Sequence, residues 1–261
     1  MRWLIFCKDE LLTDADGRLP EGGQCPVPTE AWHHVFRLRS RTGEELCAIR
    51  TDAPNRLPGF MQTGLRQAFR LLPREDYDVA GKARELLYWD AQTKYCGVCG
   101  APLKFDTDIS KRCPECGKEV WPQLATAVIV AVTRGNSLLM VQGRNFRSDY
   151  MGLVAGFVET GETLEEAVAR EVMEETGLRI ADIRYFASQP WPYPCGLMVG
   201  FTARYVSGEI TLQQSELRRG GWYTTDTMPR VPGRMSIARR LVEDWLTQQG
   251  REDVIATLDD F

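Results

Sequence analysis

The stretch Gly156–Leu178, GFVETGETLEEAVAREVMEETGL, constrains this chain more than any other, because it pairs a well-formed amphipathic helix with charges that oppose it. Thr163, with Glu166 three residues on, reads as a capping box, and Gly177 is the expected stop, so the spacing predicts a helix over Thr163–Thr176. Leu164, Val168 and Val172 recur at i, i+4 and i+8 and form one apolar stripe. Glu171, Glu174 and Glu175 share a face in the last turns, where the helix dipole disfavours each negative charge by about 0.3–1 kcal/mol. Arg170 supplies one compensating charge. A divalent cation accounts for the cluster better than a solvated acidic face does. Carboxylates on a rigid helix, with room for water and phosphate oxygens, are how proteins hold Mg²⁺ or Mn²⁺.

The cysteines carry the second strong pattern. Cys96 and Cys99 form one C-x-x-C and Cys113 and Cys116 another, each followed by a glycine, Gly100 or Gly117. Two such knuckles aim four thiolates tetrahedrally at one Zn²⁺ at about 2.3 Å. Glycine after the second cysteine permits a positive φ that turns backbone amides toward sulfur. Four thiolates leave no open coordination position, so this zinc is expected to hold structure and not to catalyse. Cys7, Cys25 and Cys47 are scattered and read as buried small hydrophobes; Cys195 is also unpaired.

Composition sets the class. With 32 Lys plus Arg against 36 Asp plus Glu in 261 residues, the net charge of −4 excludes a protein that coats nucleic acid by bulk electrostatics. The longest apolar run, Leu124–Val132, is interrupted by Thr126 and is far short of the about 20 residues that span a bilayer. No membrane partner is expected. MRWLIFCKDELL reaches charge too soon for a secretory core, so a cytoplasmic location is the expectation.

Along the chain, residues 1–91 read as a small α+β domain, with strands at Trp3–Phe6 and Leu46–Ile49 and helices over Met61–Leu72 and from Val79 to about Ala91. No chemistry is legible there. The ribbon spans 92–121. From 122 to 250 the pattern predicts strands at Ala125–Thr133 and Ser137–Gln142, joined by a Gly-Asn turn, and another before Gly156. Further strands are expected at Ile183–Ser188, Leu197–Val206 and Gly221–Thr224, with a helix over Ser236–Gln248 and a tail over 251–261.

Gly156, Glu162, Arg170-Glu171-Val172, Glu174-Glu175 and Gly177-Leu178 stand at the spacing of the Nudix box. The chain resembles the Nudix hydrolases, which cleave a nucleoside diphosphate linked to another group. The resemblance implies an α+β fold, a Nudix α/β/α sandwich with a mixed sheet. It also implies that Glu171, Glu174 and Glu175 bind Mg²⁺ or Mn²⁺, that Glu174 or Glu175 helps position or activate water, and that Glu162 and Arg170 brace the loop.

Ser188-Gln189-Pro190-Trp191-Pro192-Tyr193-Pro194-Cys195-Gly196 reads alone as a proline-locked turn with two aromatics. It also resembles the SQPWPFPxS array of the NADH pyrophosphatase branch, which likewise carries a four-cysteine ribbon before its Nudix domain. That resemblance implies hydrolysis of NADH or NAD⁺ to nicotinamide mononucleotide and AMP, removal of an NAD cap from RNA, and a homodimer. Phe157 would then stack on nicotinamide, with Trp121 completing the pocket from the partner subunit. Ala155, the run Gln189, Pro190, Trp191, Pro192, Tyr193, Pro194, Cys195 and Gly196, and Ala238 would line the dinucleotide site. Glu216 would be a further metal or substrate ligand. The chain departs from the array at Cys195-Gly196, where a hydroxyl is absent, and at Tyr193, whose added hydroxyl needs a partner; Trp121 stands where the branch has tyrosine. Arg218, Arg219, Arg230, Arg234, Arg239 and Arg240 form a local basic surplus able to meet RNA phosphates beyond the cap. The competing readings are a Nudix hydrolase for ADP-ribose or a nucleotide sugar, and a nucleotide-sensing zinc-ribbon regulator.

Overall fold

A near-continuous apolar run makes β1 (Arg2–Cys7) a strand buried on both faces, and the sheet of the first unit grows around it. β2 (Glu10–Thr13), β3 (Phe36–Arg39), β4 (Glu45–Thr51) and β5 (Met61–Gly64) complete the order β3-β4-β1-β2-β5, with β1 and β4 parallel. One turn, α1 (Leu65–Ala68), leads to α2 (Arg74–Gln92), which buries Val79, Ala80, Ala83, Leu86 and Leu87 and packs on β1, β3 and β4. Cys7 and Cys47 lie in a core with Trp3, Ile5, Leu12 and Ile49, and the half-buried Cys25 packs against it. The ribbon strands β6 (Lys104–Thr107), β7 (Ser110–Arg112) and β8 (Glu119–Val120) follow. The computed structural model describes residues 1–30, 32–52, 57–146 and 149–258. Its two compact units are Met1–Leu124 with Trp191–Cys195, and Ala125–Pro190 with Gly196–Phe261.

The helix expected over Met61–Leu72 is a correction. Met61–Gly64 is strand, paired antiparallel with β2, and the buried hydroxyls of Thr13 and Thr63 meet across the pair at 2.9 Å. Cross-strand pairing outweighs a short apolar periodicity, and helix survives only as α1.

In the second unit β9 (Ala125–Arg134) turns at Gly135, whose φ of 58° suits a tight hairpin, into β10 (Ser137–Gly143). β11 (Val154–Phe157), α3 (Leu164–Thr176), β12 (Arg179–Trp191), β13 (Gly196–Ser207) and β14 (Leu217–Thr224) follow, then α4 (Ile237–Gln248) and α5 (Glu252–Ile255). The sheet order is β12-β13-β9-β10-β14, with β11 paired to β9. Strand periodicity divides β9 between two cores. Val128, Val130 and Val132 pack with Ala167, Val168 and Val172 of α3; Ile129 and Ala131 pack with Leu241, Val242 and Trp245 of α4. This is a mixed sheet between helical layers, an α+β fold of the expected kind. β12 runs well beyond Ile183–Ser188, and residues 251–258, expected as a tail, place Val254, Ile255 and Leu258 on the α4 core. No described helix is long and apolar enough to cross a membrane.

Candidate active site

Local chemistry builds α3 as the spacing demands. Thr163 caps its start in a reciprocal box with Glu166, and Gly177 closes it with φ 71°. Arg170 then ties helix to loop. Its guanidinium donates to Glu162 at 2.6 and 3.0 Å, to the Phe157 carbonyl at 2.9 Å, to Glu171 at 2.9 Å and to Glu174 at 3.0 Å. Glu162 also accepts from the Glu159 amide at 2.7 Å; Arg170, then that amide, hold its carboxyl down at about 2. The arginine therefore takes more of the acidic charge than the sequence suggests.

Glu171 lies against Gly156, where an added Cβ would stand 2.0 Å from the carboxyl group. Only glycine leaves that space. Burial pushes the Glu171 carboxyl up, against the pull of Arg170.

Glu175 is the exception in the cluster. It is 5% exposed, its Oε2 has no hydrogen-bond partner among the described residues, and burial, then Glu171, Glu216 and Glu174, push its carboxyl up to about 8. A buried carboxylate without a counter-charge is costly, so its place calls for a cation. Glu175, Glu216 and Ala155 line one cleft of about 290 Å³ with Arg144, Asn145, Phe146 and Ser215. The Glu216 carbonyl accepts from the Arg144 amide at 2.7 Å, which fixes that loop against the end of β10. The orphaned oxygen, the acidic neighbours and the hard oxygen donors fit a divalent ion such as Mg²⁺ or Mn²⁺.

In the first unit the four cysteines come together. Their ligand atoms all lie within 4.8 Å of one another, with Cys96 and Cys116 3.6 Å apart and Cys99 and Cys113 3.4 Å. Among the described residues, no other group of three or more such ligands is gathered so closely; the glutamates are not. Gly100 and Gly117 adopt φ 77° and 74°, as the knuckle geometry requires. Amides of Cys99 and Val98 hold the Cys96 thiol down at about 6. Four converging sulfurs with amide support could bind zinc.

Family models agree with both units. Residues 122–246 match the NUDIX domain, and residues 1–89 match the NADH pyrophosphatase-like rudimentary NUDIX domain. The chain is 38% identical over 259 residues to the NAD-capped RNA hydrolase NudC of Stutzerimonas stutzeri, covering 97% of this chain and 92% of the relative. NudC of Pseudomonas aeruginosa is 37% identical over 250 residues, covering 94% and 89%, and NudC of Deinococcus radiodurans is 38% identical over 241, covering 90% and 84%.

This chain belongs to the NudC family of Nudix hydrolases.

The remaining residues expected from the array of that family divide unevenly. Gln189, 8% exposed, donates to the Met235 carbonyl at 2.7 Å, while its Oε1 is buried with no partner among the described residues. Pro190 ends its part of β12, and Gly196 pairs with Ala125. Trp191, Pro192, Tyr193, Pro194 and Cys195 belong instead to the first unit. Phe157 is 65% exposed at the end of β11, in the second unit; Trp121 is 45% exposed, in the first. Ala238 is 7% exposed within the α4 core.

The arginine stretch does not form one free basic face. Arg239 is fully buried and pairs with Glu243 at 2.7 Å, and Arg219 binds Gln142 at 3.0 Å as well as Asp149. Arg240 lies 5.7 Å from the Phe186 ring centroid. Sequence reasoning missed Arg144, Asn145 and Phe146. Their one signal was Gly143, where a Cβ would stand 2.7 Å from Asn145 and 2.9 Å from Phe146.

Proposed function

We propose that this chain hydrolyses the diphosphate bond of NAD(H) to nicotinamide mononucleotide and AMP, and removes the NAD cap from RNA. The observation that carries the reading is Glu175: a buried carboxylate with an oxygen that has no partner among the described residues, beside Glu216 in a cleft, on a helix whose loop Arg170 fastens. The names of relatives at 37–38% identity over nearly the whole chain support the substrate class.

Glu171, Glu174, Glu175 and Glu216 would hold the divalent ions, Mg²⁺ or Mn²⁺. Bound ions would offset the charge of the diphosphate and make an attacking water more acidic. Arg170 keeps Glu171 and Glu174 directed and holds the Phe157 carbonyl, so the loop bearing the Phe157 ring stays in register with α3. Glu174 or Glu175 would also position or activate the attacking water. Phe157 is the exposed aromatic suited to stack on nicotinamide, with Trp121 as its counterpart across a homodimer. Cys96, Cys99, Cys113 and Cys116 hold a structural zinc, which requires reduced thiols and fits a cytoplasmic setting.

Product analysis with NADH, NAD⁺, ADP-ribose and a short NAD-capped RNA tests the reading. Nicotinamide mononucleotide released from NADH or the RNA is the expected result; cleavage of ADP-ribose alone would overturn it. For the ribbon, Cys113→Ser should lower both zinc content and melting temperature, and an unchanged protein would refute structural zinc.

A further inference from the structure

The added hydroxyl of Tyr193 has found a partner far away in sequence. Its Oη lies 2.8 Å from Oη of Tyr77 on α2, and Tyr77 is 6% exposed. Three more contacts converge on the same short segment. Arg84 Nη1 donates to the Pro192 carbonyl at 2.6 Å and reaches the Pro194 carbonyl at 3.4 Å. The Arg66 guanidinium stands 3.9 Å from the Tyr193 ring centroid and 5.0 Å from that of Trp191. A Cβ on Gly81 would lie 3.3 Å from Pro192 Cγ, closer than most such contacts, so the glycine seats the buried proline ring.

Tyr77, Gly81 and Arg84 are spaced i, i+4 and i+7, so a single face of α2 meets Trp191–Pro194. Glycine inside a helix costs about 1 kcal/mol relative to alanine. Here the gain is a seat for Pro192. The contacts read the segment's backbone carbonyls, one proline ring and two aromatic faces, and so define a conformation and not merely an attachment.

We propose that Tyr77, Arg84 and Arg66 are positioning residues that hold Trp191–Pro194 in its substrate-binding conformation. This rests on the reading of the array as part of the NAD(H) site. The segment joins β12 to β13, whose adjoining residues Gln189 and Gly196 belong to the same array. Held in one shape before substrate arrives, it spares binding the cost of ordering aromatic side chains and loop. Releasing it should weaken ground-state and transition-state binding alike, which raises KM and leaves kcat in place.

The test is steady-state kinetics with NADH, with nicotinamide mononucleotide as the measured product and melting temperature recorded in parallel. Tyr77→Phe should raise KM about three- to tenfold with kcat changed less than about twofold, as expected for one lost hydrogen bond. Arg84→Met, which keeps the aliphatic stem, should raise KM further, and Arg84→Lys, still able to donate to the Pro192 carbonyl, should recover much of it. Tyr77→Phe combined with Tyr193→Phe should be no worse than Tyr77→Phe alone, because both hydroxyls of one pair are gone. Wild-type KM in Tyr77→Phe and Arg84→Met, or a fall in kcat that simply follows melting temperature without rescue by lysine, would overturn the proposal. Wild-type protein that releases no nicotinamide mononucleotide would overturn the functional reading, and the clamp with it.

Discussion

Asp90 and Glu175 are buried carboxylates near the C-terminal ends of two helices, 8% and 5% exposed, and they have opposite fates. Asp90 accepts from Lys111 Nζ at 2.6 Å and Lys94 Nζ at 2.8 Å. Burial alone would raise its pKa, yet those two hydrogen bonds hold it below the ordinary carboxylate range. Lys111 also donates to the carbonyls of Asp90 and Thr93 at 3.1 and 2.9 Å, serving the open end of α2 from a ribbon strand. Glu175 has acids where Asp90 has lysines, and its carboxyl rises to about 8. Position on the helix and degree of burial are similar. The partners supplied by the rest of the fold separate a carboxylate held ionised from one whose proton affinity is raised.

The largest effect should come from breaking the Glu175 side of that contrast. Glu175→Gln keeps shape and removes charge, so hydrolysis should fall on the order of 10³-fold while the metal-free melting temperature holds or rises. Near-normal turnover would remove Glu175 from the site. On the Asp90 side, Lys111→Met should cost about 2–4 kcal/mol of stability, because it leaves the buried carboxylate to Lys94 alone and removes the donor to the carbonyls of Asp90 and Thr93. A denaturant titration measures this, and a loss well under 1 kcal/mol would equate the two carboxylates after all.

Glu85 sharpens the comparison at smaller scale. Its Oε1 is buried with no partner among the described residues, and burial, opposed by Arg84, pushes the carboxyl up to about 7. With the folded pKa above the unfolded one, stability is full below about pH 4.5 and declines as pH rises toward 7. Glu85→Gln should therefore stabilise the protein at pH 8 by on the order of 1 kcal/mol, after discounting for residual access to water, and by little at pH 4. A difference independent of pH would show that the carboxyl is not ionising against its surroundings.

Much of the candidate site was legible in order along the chain. Thr163, Glu166, Gly177 and the Val168–Val172 stripe are local rules, obeyed within a few residues, and α3 formed as read. The paired knuckles were equally local, and the four sulfurs converge. The Met61–Leu72 helix failed because strand pairing with β2 acts at long range and periodicity over so short a span is weak. A count of charges carries no information on burial: of the arginines in the basic stretch, Arg239 proved to be inside.

By itself the sequence determined what neighbours along the chain decide: caps, stripes, knuckle turns, and the glycine at 156 that leaves room for Glu171. Only the tertiary structure decided which charges meet a partner. Arg170 gathers Glu162, Glu171 and Glu174, Lys111 settles Asp90, and Glu175 Oε2, beside Glu216, has no partner among the described residues. It also gave Tyr193 its hydroxyl partner, Tyr77, 116 positions away. Dihedral preferences and helix spacing act between near neighbours, whereas desolvation and charge pairing depend on distances that exist only after the chain has closed on itself.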